Sequence, residues 1–204
     1  MKPDCSYMQQ KLTAGLFAVK RPVVTAITWW LVLAAAFFTP AKAHCGEPVL
    51  TEYQVKALCL LNFARYTEWP ASAFEDTNSS IVIGILGESR LQAPLQAATS
   101  GKTIAGRSIV IRELKTAADY TECQILFVST SETKRLSDIF HRVKDKPVLT
   151  VGETESFLQE GGIINFAIRS SRVRFDIDLD AAHRAGIQIS SKVLSLADEV
   201  HGKP

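Results

Sequence analysis

Four short, unbroken apolar runs constrain this chain more than any other feature. Residues 81–87 read Ile-Val-Ile-Gly-Ile-Leu-Gly, 108–111 Ser-Ile-Val-Ile, 125–128 Ile-Leu-Phe-Val and 147–151 Pro-Val-Leu-Thr-Val. A strand with no polar alternation must be covered on both faces, which is the condition of a parallel sheet between helices. Helical segments fall between the runs. Residues 50–69 predict an opening helix ended by Pro70, with Val55, Leu58, Cys59, Phe63 and Tyr66 on one face and Leu60, Leu61 and Ala64 on a second strip. Residues 88–99 predict the next helix, and Gly101 and Gly106 bracket a turn. Ser129 and Glu132 make a capping box for a helix to about Val143. Thr150 and Glu153 predict a short helix around 154–159.

The rhythm then changes. Residues 163–168 and 172–177 are joined by a short polar loop, and the second segment puts Val173, Phe175 and Ile177 on one face, Arg174 and Asp176 on the other. That alternation predicts an antiparallel hairpin, with Asp176 facing solvent. Asp178 or Asp180 caps a helix over 180–186, Ser190 or Ser191 starts a last helix that buries Val193, Leu194 and Leu196, and the tail 201–204 should fray. The predicted fold is a single α/β domain: a mostly parallel sheet, an antiparallel C-terminal hairpin and helices on both faces.

The formal charge of +2 misleads about partners. Five basic residues and one acid lie in residues 1–43, which leaves 18 basic against 20 acidic residues beyond them. A mildly acidic domain with no basic patch has no reason to track a phosphate backbone, so nucleic acid is not an expected partner. Residues 22–38 are apolar and uncharged, Lys20 and Arg21 precede them, and Ala41-Lys42-Ala43 follows Pro40. This reads as a secretory leader cleaved after Ala43, leaving 44–204 as an exported domain. In that oxidising compartment Cys45, Cys59 and Cys123 allow at most one internal bridge. Cys59–Cys123 is the candidate, against the alternative of two buried thiols.

The chemistry-bearing motifs are incomplete. Gly84-Ile-Leu-Gly87 lacks the dinucleotide-binding glycine pattern, and Ser131-Glu-Thr-Lys134 has none of the partner motifs of penicilloyl-serine enzymes. The acidic run from Asp176 to Asp180 places Ala181 and Ile187 where a calcium loop needs glycine and glutamate. His44, His141, His183 and His201 have no metal-ligand spacing. No catalytic residue, cofactor or metal is therefore expected. Two features remain: the aromatic end of the opening helix (Phe63, Tyr66, Trp69), which is either core or a partner-binding surface, and Arg172 with Arg174, which either pair with neighbouring acids or bind an anion.

Several stretches resemble the YfiR family of periplasmic regulators. They include Val55-Lys56-Ala57 through Asn62-Phe63-Ala64-Arg65-Tyr66-Thr67-Glu68-Trp69-Pro70, Gly101-Lys102 with Gly106-Arg107, and Cys123-Gln124-Ile125-Leu126-Phe127. Gly162-Ile163-Ile164-Asn165-Phe166, Arg172-Val173-Arg174-Phe175-Asp176-Ile177 and Leu194-Ser195-Leu196-Ala197 extend the likeness across about residues 52–197. The resemblance implies a non-enzymatic, dimeric protein that represses an inner-membrane diguanylate cyclase by binding its periplasmic part. It also implies that an outer-membrane OmpA-like lipoprotein relieves the repression, so that the output is cyclic di-GMP and biofilm control. The family's redox-sensitive disulfide near the Gly-Gly turn does not carry over, because residues 157–164 hold no cysteine; only Cys123 sits at a familiar cysteine position. A rival reading is a periplasmic small-molecule sensor feeding a membrane sensor kinase, with its ligand near Asn165, Arg172 and Arg174.

Overall fold

A computed structural model describes residues 50–115, 120 and 123–203. The leader, its cleavage site and Cys45 lie outside the described residues. Helix α1 (Glu52–Arg65) starts at a capping box. The Thr51 hydroxyl accepts from the Gln54 N–H, and the Gln54 side-chain oxygen accepts from the Thr51 N–H. The helix ends four residues short of Trp69. Tyr66 caps it, and Thr67–Glu68 leaves as strand β1, which pairs antiparallel with β9 (Gln188–Ile189). Thr67 is β-branched and Pro70 follows closely, so extended backbone was already favoured there; the pairing with β9 settles it.

The apolar runs become strands as expected: β2 (Ile81–Leu86), β4 (Arg107–Leu114), β5 (Ile125–Val128) and β6 (Leu149–Gly152). Strand β3 (Thr103–Ile104) makes a small hairpin with β4. Strands β7 (Ile164–Arg169) and β8 (Arg172–Asp178) form the antiparallel hairpin. Together with β10 (Glu199–His201) they build an eight-stranded sheet in the order β10-β8-β7-β6-β5-β2-β4-β3. The five central strands run second, first, third, fourth, fifth, with parallel pairing throughout. This is a doubly wound arrangement whose connections change direction between β2 and β5.

Successive β2 residues point into two different cores, which is why the strand shows no alternation. Ile81, Ile83 and Ile85 face a layer made by α1, α2 (Gln92–Thr99), α4 (Leu179–Arg184) and α5 (Ser191–Leu194). Val82 and Leu86 face the other layer, made by α3 (Leu136–Val143), Tyr120 and Phe157. Helices cover both faces, and the α/β expectation holds. The strip that α1 buries is Ala57, Leu60, Leu61, Phe63 and Ala64, while Leu58 is exposed.

Three local expectations are corrected. Residues 154–161 form turns instead of a helix, because the Phe157 ring is held between two glycines. A Cβ on Gly152 or on Gly162 would stand 2.2 Å from that ring, so the chain folds back over it. The tail does not fray from His201: Glu199–His201 pairs in parallel with β8 as an edge strand. Leu196 is exposed and not buried.

Candidate functional site

Ligand crevices in doubly wound sheets open at the carboxyl ends of the parallel strands. The crevice at the ends of β2, β4 and β5, of about 610 Å³, is lined by Gly87, Glu88, Glu113, Lys115, Ser131 and Glu132. Ser129 Oγ lies 2.7 Å from Ser131 Oγ, which accepts from the Glu88 N–H at 3.0 Å. A second cleft, of about 340 Å³, opens where β6 ends. Its walls come from α1 (Glu52, Tyr53, Lys56), the loops at Thr130 and 153–155, and β7 from Asn165 to Ile168.

Lys56 organises this cleft. Its side chain is 4% exposed, on the helix face that otherwise buries Leu60, Phe63 and Ala64. A lysine there requires a carboxylate brought from elsewhere in the chain. Glu153, 7% exposed, supplies it at 2.6 Å, and Glu52 accepts a second hydrogen bond from the same ammonium. Burial lowers the Lys56 pKa, but hydrogen bonds and charge from Glu153 and Glu52 more than offset that, and the net value lies above 10.5. The ammonium also stands 5.0 Å from the Tyr53 ring centroid and 5.9 Å from that of Phe166. In the sequence Lys56 stands out only as part of a stretch that resembles the family. The usable signal was its register with the strip that α1 buries.

Asn165 lines this cleft, with its side-chain oxygen accepting from the Thr154 N–H at 3.1 Å. The arginines expected beside it are elsewhere. Arg172 is exposed at the hairpin turn, and Arg174 lies 3.7 Å from Asp198. Asp176 does not face solvent: it is buried, and its two carboxylate oxygens accept from Arg169 at 2.8 and 2.6 Å. Asn165, Arg172 and Arg174 therefore do not form one ligand site.

The aromatic trio is not one surface either. Phe63 is 2% exposed, stacked on Phe166 at 5.8 Å and edge-on to Phe175 at 5.0 Å. Tyr66 is half-buried beneath Lys192, whose ammonium is 5.2 Å from the ring centroid. Trp69 is half-buried, and its indole nitrogen has no hydrogen-bond partner among the described residues. Core packing claims Phe63, which cannot touch a partner without unfolding.

Cys59 and Cys123 are not bridged. Cys59 packs with the α1 layer and Cys123 with the α3 layer, on opposite faces of the sheet, so no Cβ–Cβ approach is available. Burial pushes the Cys59 thiol up to about 11. The Cys123 thiol donates to the Tyr120 carbonyl at 3.2 Å.

Residues 53–198 match the YfiR/HmsC-like family. The chain belongs to that family. The match runs from the second residue of α1 to the approach to β10, and includes every wall residue of the cleft except Glu52. Among solved structures, a conserved domain protein from Vibrio cholerae O1 biovar El Tor is similar at a TM-score of 0.51 and 12% identity, over 74% of this chain and 60% of that one. An ABC domain in complex with L-Trp from Streptococcus pneumoniae reaches a TM-score of 0.46 at 13% identity, over 59% of this chain and 55% of its own length. This YfiR/HmsC-like chain thus spans about 60% of the first structure, which shares its fold alone. Among the described residues, no helix is long and apolar enough to cross a membrane.

Proposed function

We propose that this YfiR/HmsC-like chain is a periplasmic regulator that represses an inner-membrane diguanylate cyclase through protein contact. The family match over residues 53–198 carries the reading. YfiR-like proteins act by binding, and the leader at residues 1–43 fits export to the compartment where that contact occurs. An outer-membrane OmpA-like lipoprotein would relieve repression by sequestering the regulator, which would act as a homodimer. The contact draws on surface other than Phe63, because that ring is part of the core.

The rival reading, an anionic ligand held by Asn165, Arg172 and Arg174, draws no support from the geometry. The cleft that Asn165 lines is acidic, and both arginines stand outside it. The test is cyclic di-GMP in cells that carry the cyclase with and without this chain. Repression lowers cyclic di-GMP several-fold. An unchanged level with the regulator present in the periplasm contradicts the proposal.

A further inference from the structure

Strand β7 runs past its neighbour. β6 pairs with it at two rungs only, Val151 with Ile164 and Gly152 with Asn165. On its other side β8 continues through six rungs to Arg169 and Arg172. Ser170 and Ser171 have φ of 50° and 60°, a two-residue turn that makes Arg169 and Arg172 a hydrogen-bonded pair. The Asp178 N–H donates to the Ile163 carbonyl, which fits the same parity. Odd-numbered β7 residues therefore bond to β8, and the backbone of Phe166 and Ile168 points to the β6 side. The next donor on that side, the Thr154 N–H, goes to the Asn165 side chain instead of continuing the ladder. The Phe166 carbonyl and both backbone groups of Ile168 thus face the cleft with no strand beside them among the described residues.

The cleft has a definite chemistry. Glu52, Glu153 and Glu155 line it against a single cation, Lys56, which already holds two of the three carboxylates. Tyr53 and Ile168, the latter 54% exposed, supply an apolar wall beside that rim. An open strand edge gives backbone hydrogen bonds to any extended peptide, and the alternating side chains give specificity. Here the set on the α1 face would meet the carboxylates of Glu52 and Glu153 beside Tyr53 and Ile168, and the other set would meet Asn165 and Ala167.

We propose that this cleft docks an extended segment of a partner protein, carrying lysine or arginine at alternate positions, as an added strand beside residues 166–169. The proposal rests on the reading of the chain as a regulator acting by protein contact, and names where and what it grips.

The test uses 15N-labelled protein and two acetylated, amidated probes, Val-Lys-Val-Lys-Val-Lys-Val and its glutamate counterpart. The lysine peptide shifts the amides of Glu155 and Ile168 and slows hydrogen exchange at the Ile168 N–H. It binds at least about tenfold more tightly than the glutamate peptide, and at least about fivefold more tightly than it binds E155K or I168P. E155K alters an exposed carboxylate, so it keeps the test decisive if I168P does not fold. Equal binding of the two peptides, unchanged binding to E155K, or shifts confined to the outer strand Glu199–His201 would overturn the proposal. Self-association abolished by I168P would make a second copy the occupant and overturn it too. Cyclase repression measured alongside separates the two ideas. Peptide in the cleft without repression keeps the docking site and removes the regulatory reading; repression with the peptide bound elsewhere does the reverse.

Discussion

The Lys56 ammonium lies 2.6 Å from a Glu153 carboxylate oxygen, although 97 residues separate the two in sequence. The pair fastens α1 to the end of β6 and sets one wall of the cleft. Breaking one side of a buried pair leaves the other charge uncompensated, which costs about 3–5 kcal/mol. Lys56→Met should cost about 3 kcal/mol in urea unfolding, and adding Glu153→Gln should recover much of it, since the stranded carboxylate is then gone. A single variant within about 0.5 kcal/mol of wild type would show that the pair contributes little.

The same lysine sets an alkaline limit. Its folded pKa lies above the ordinary 10.5, so its stabilising contribution is complete below 10.5 and is lost as pH rises through the folded value. The stability difference between wild type and Lys56→Met should hold steady at about pH 9 and shrink by about pH 11.5. Taking the difference removes the tyrosine titrations common to both proteins. A difference that instead grew with pH would mean that the sign is wrong.

The thiols should be inert and unlinked. Raising the Cys59 pKa from 9.0 to about 11 cuts its thiolate fraction near neutral pH about 100-fold. Native protein should react with Ellman's reagent at Cys59 at least about 100-fold more slowly than a denatured control. Peptide mapping after mild oxidation should show no Cys59–Cys123 bridge. Recovery of that bridge from active protein would contradict the placement of the two residues on opposite faces of the sheet.

The turn after β6 depends on the space around Phe157. A methyl at Gly162 would meet the Phe157 ring at 2.2 Å, and the ring is fully buried. Gly162→Ala should cost about 1–3 kcal/mol by overpacking, and Phe157→Leu in the same chain should return part of it. Non-additivity in that double-mutant cycle is the readout; strict additivity would mean that the two do not share one space.

The sheet was legible in the sequence because its signal is local. Uninterrupted runs such as 81–86 and 125–128 admit few readings once both faces must be covered. The end of α1 was not legible, since Thr67 joins a strand whose partner, Ile189, lies far along the chain. Asp176 was misplaced for a related reason: alternation gives the face of a strand, but Arg169 and Asp198 decide whether that face is wet. The candidate site was the least legible. Phe63, Tyr66 and Trp69 share a helical spacing in sequence, yet Phe63 faces the sheet and Trp69 lies beyond the helix end. The cleft takes Glu52, Lys56, Glu153 and Asn165 from three separated segments; the i, i+4 spacing relates Glu52 to Lys56, and no spacing rule relates that pair to Glu153 or Asn165.

The central claim is that this YfiR/HmsC-like chain works by gripping a membrane signalling enzyme. The most direct measurement is cyclic di-GMP synthesis by a diguanylate cyclase reconstituted in vesicles, titrated with the wild-type chain and with E155K on the face that carries the periplasmic part. The account predicts saturable repression by wild type and a dose-response shifted at least about fivefold for E155K. Synthesis indifferent to the wild-type chain at saturating concentration would contradict it.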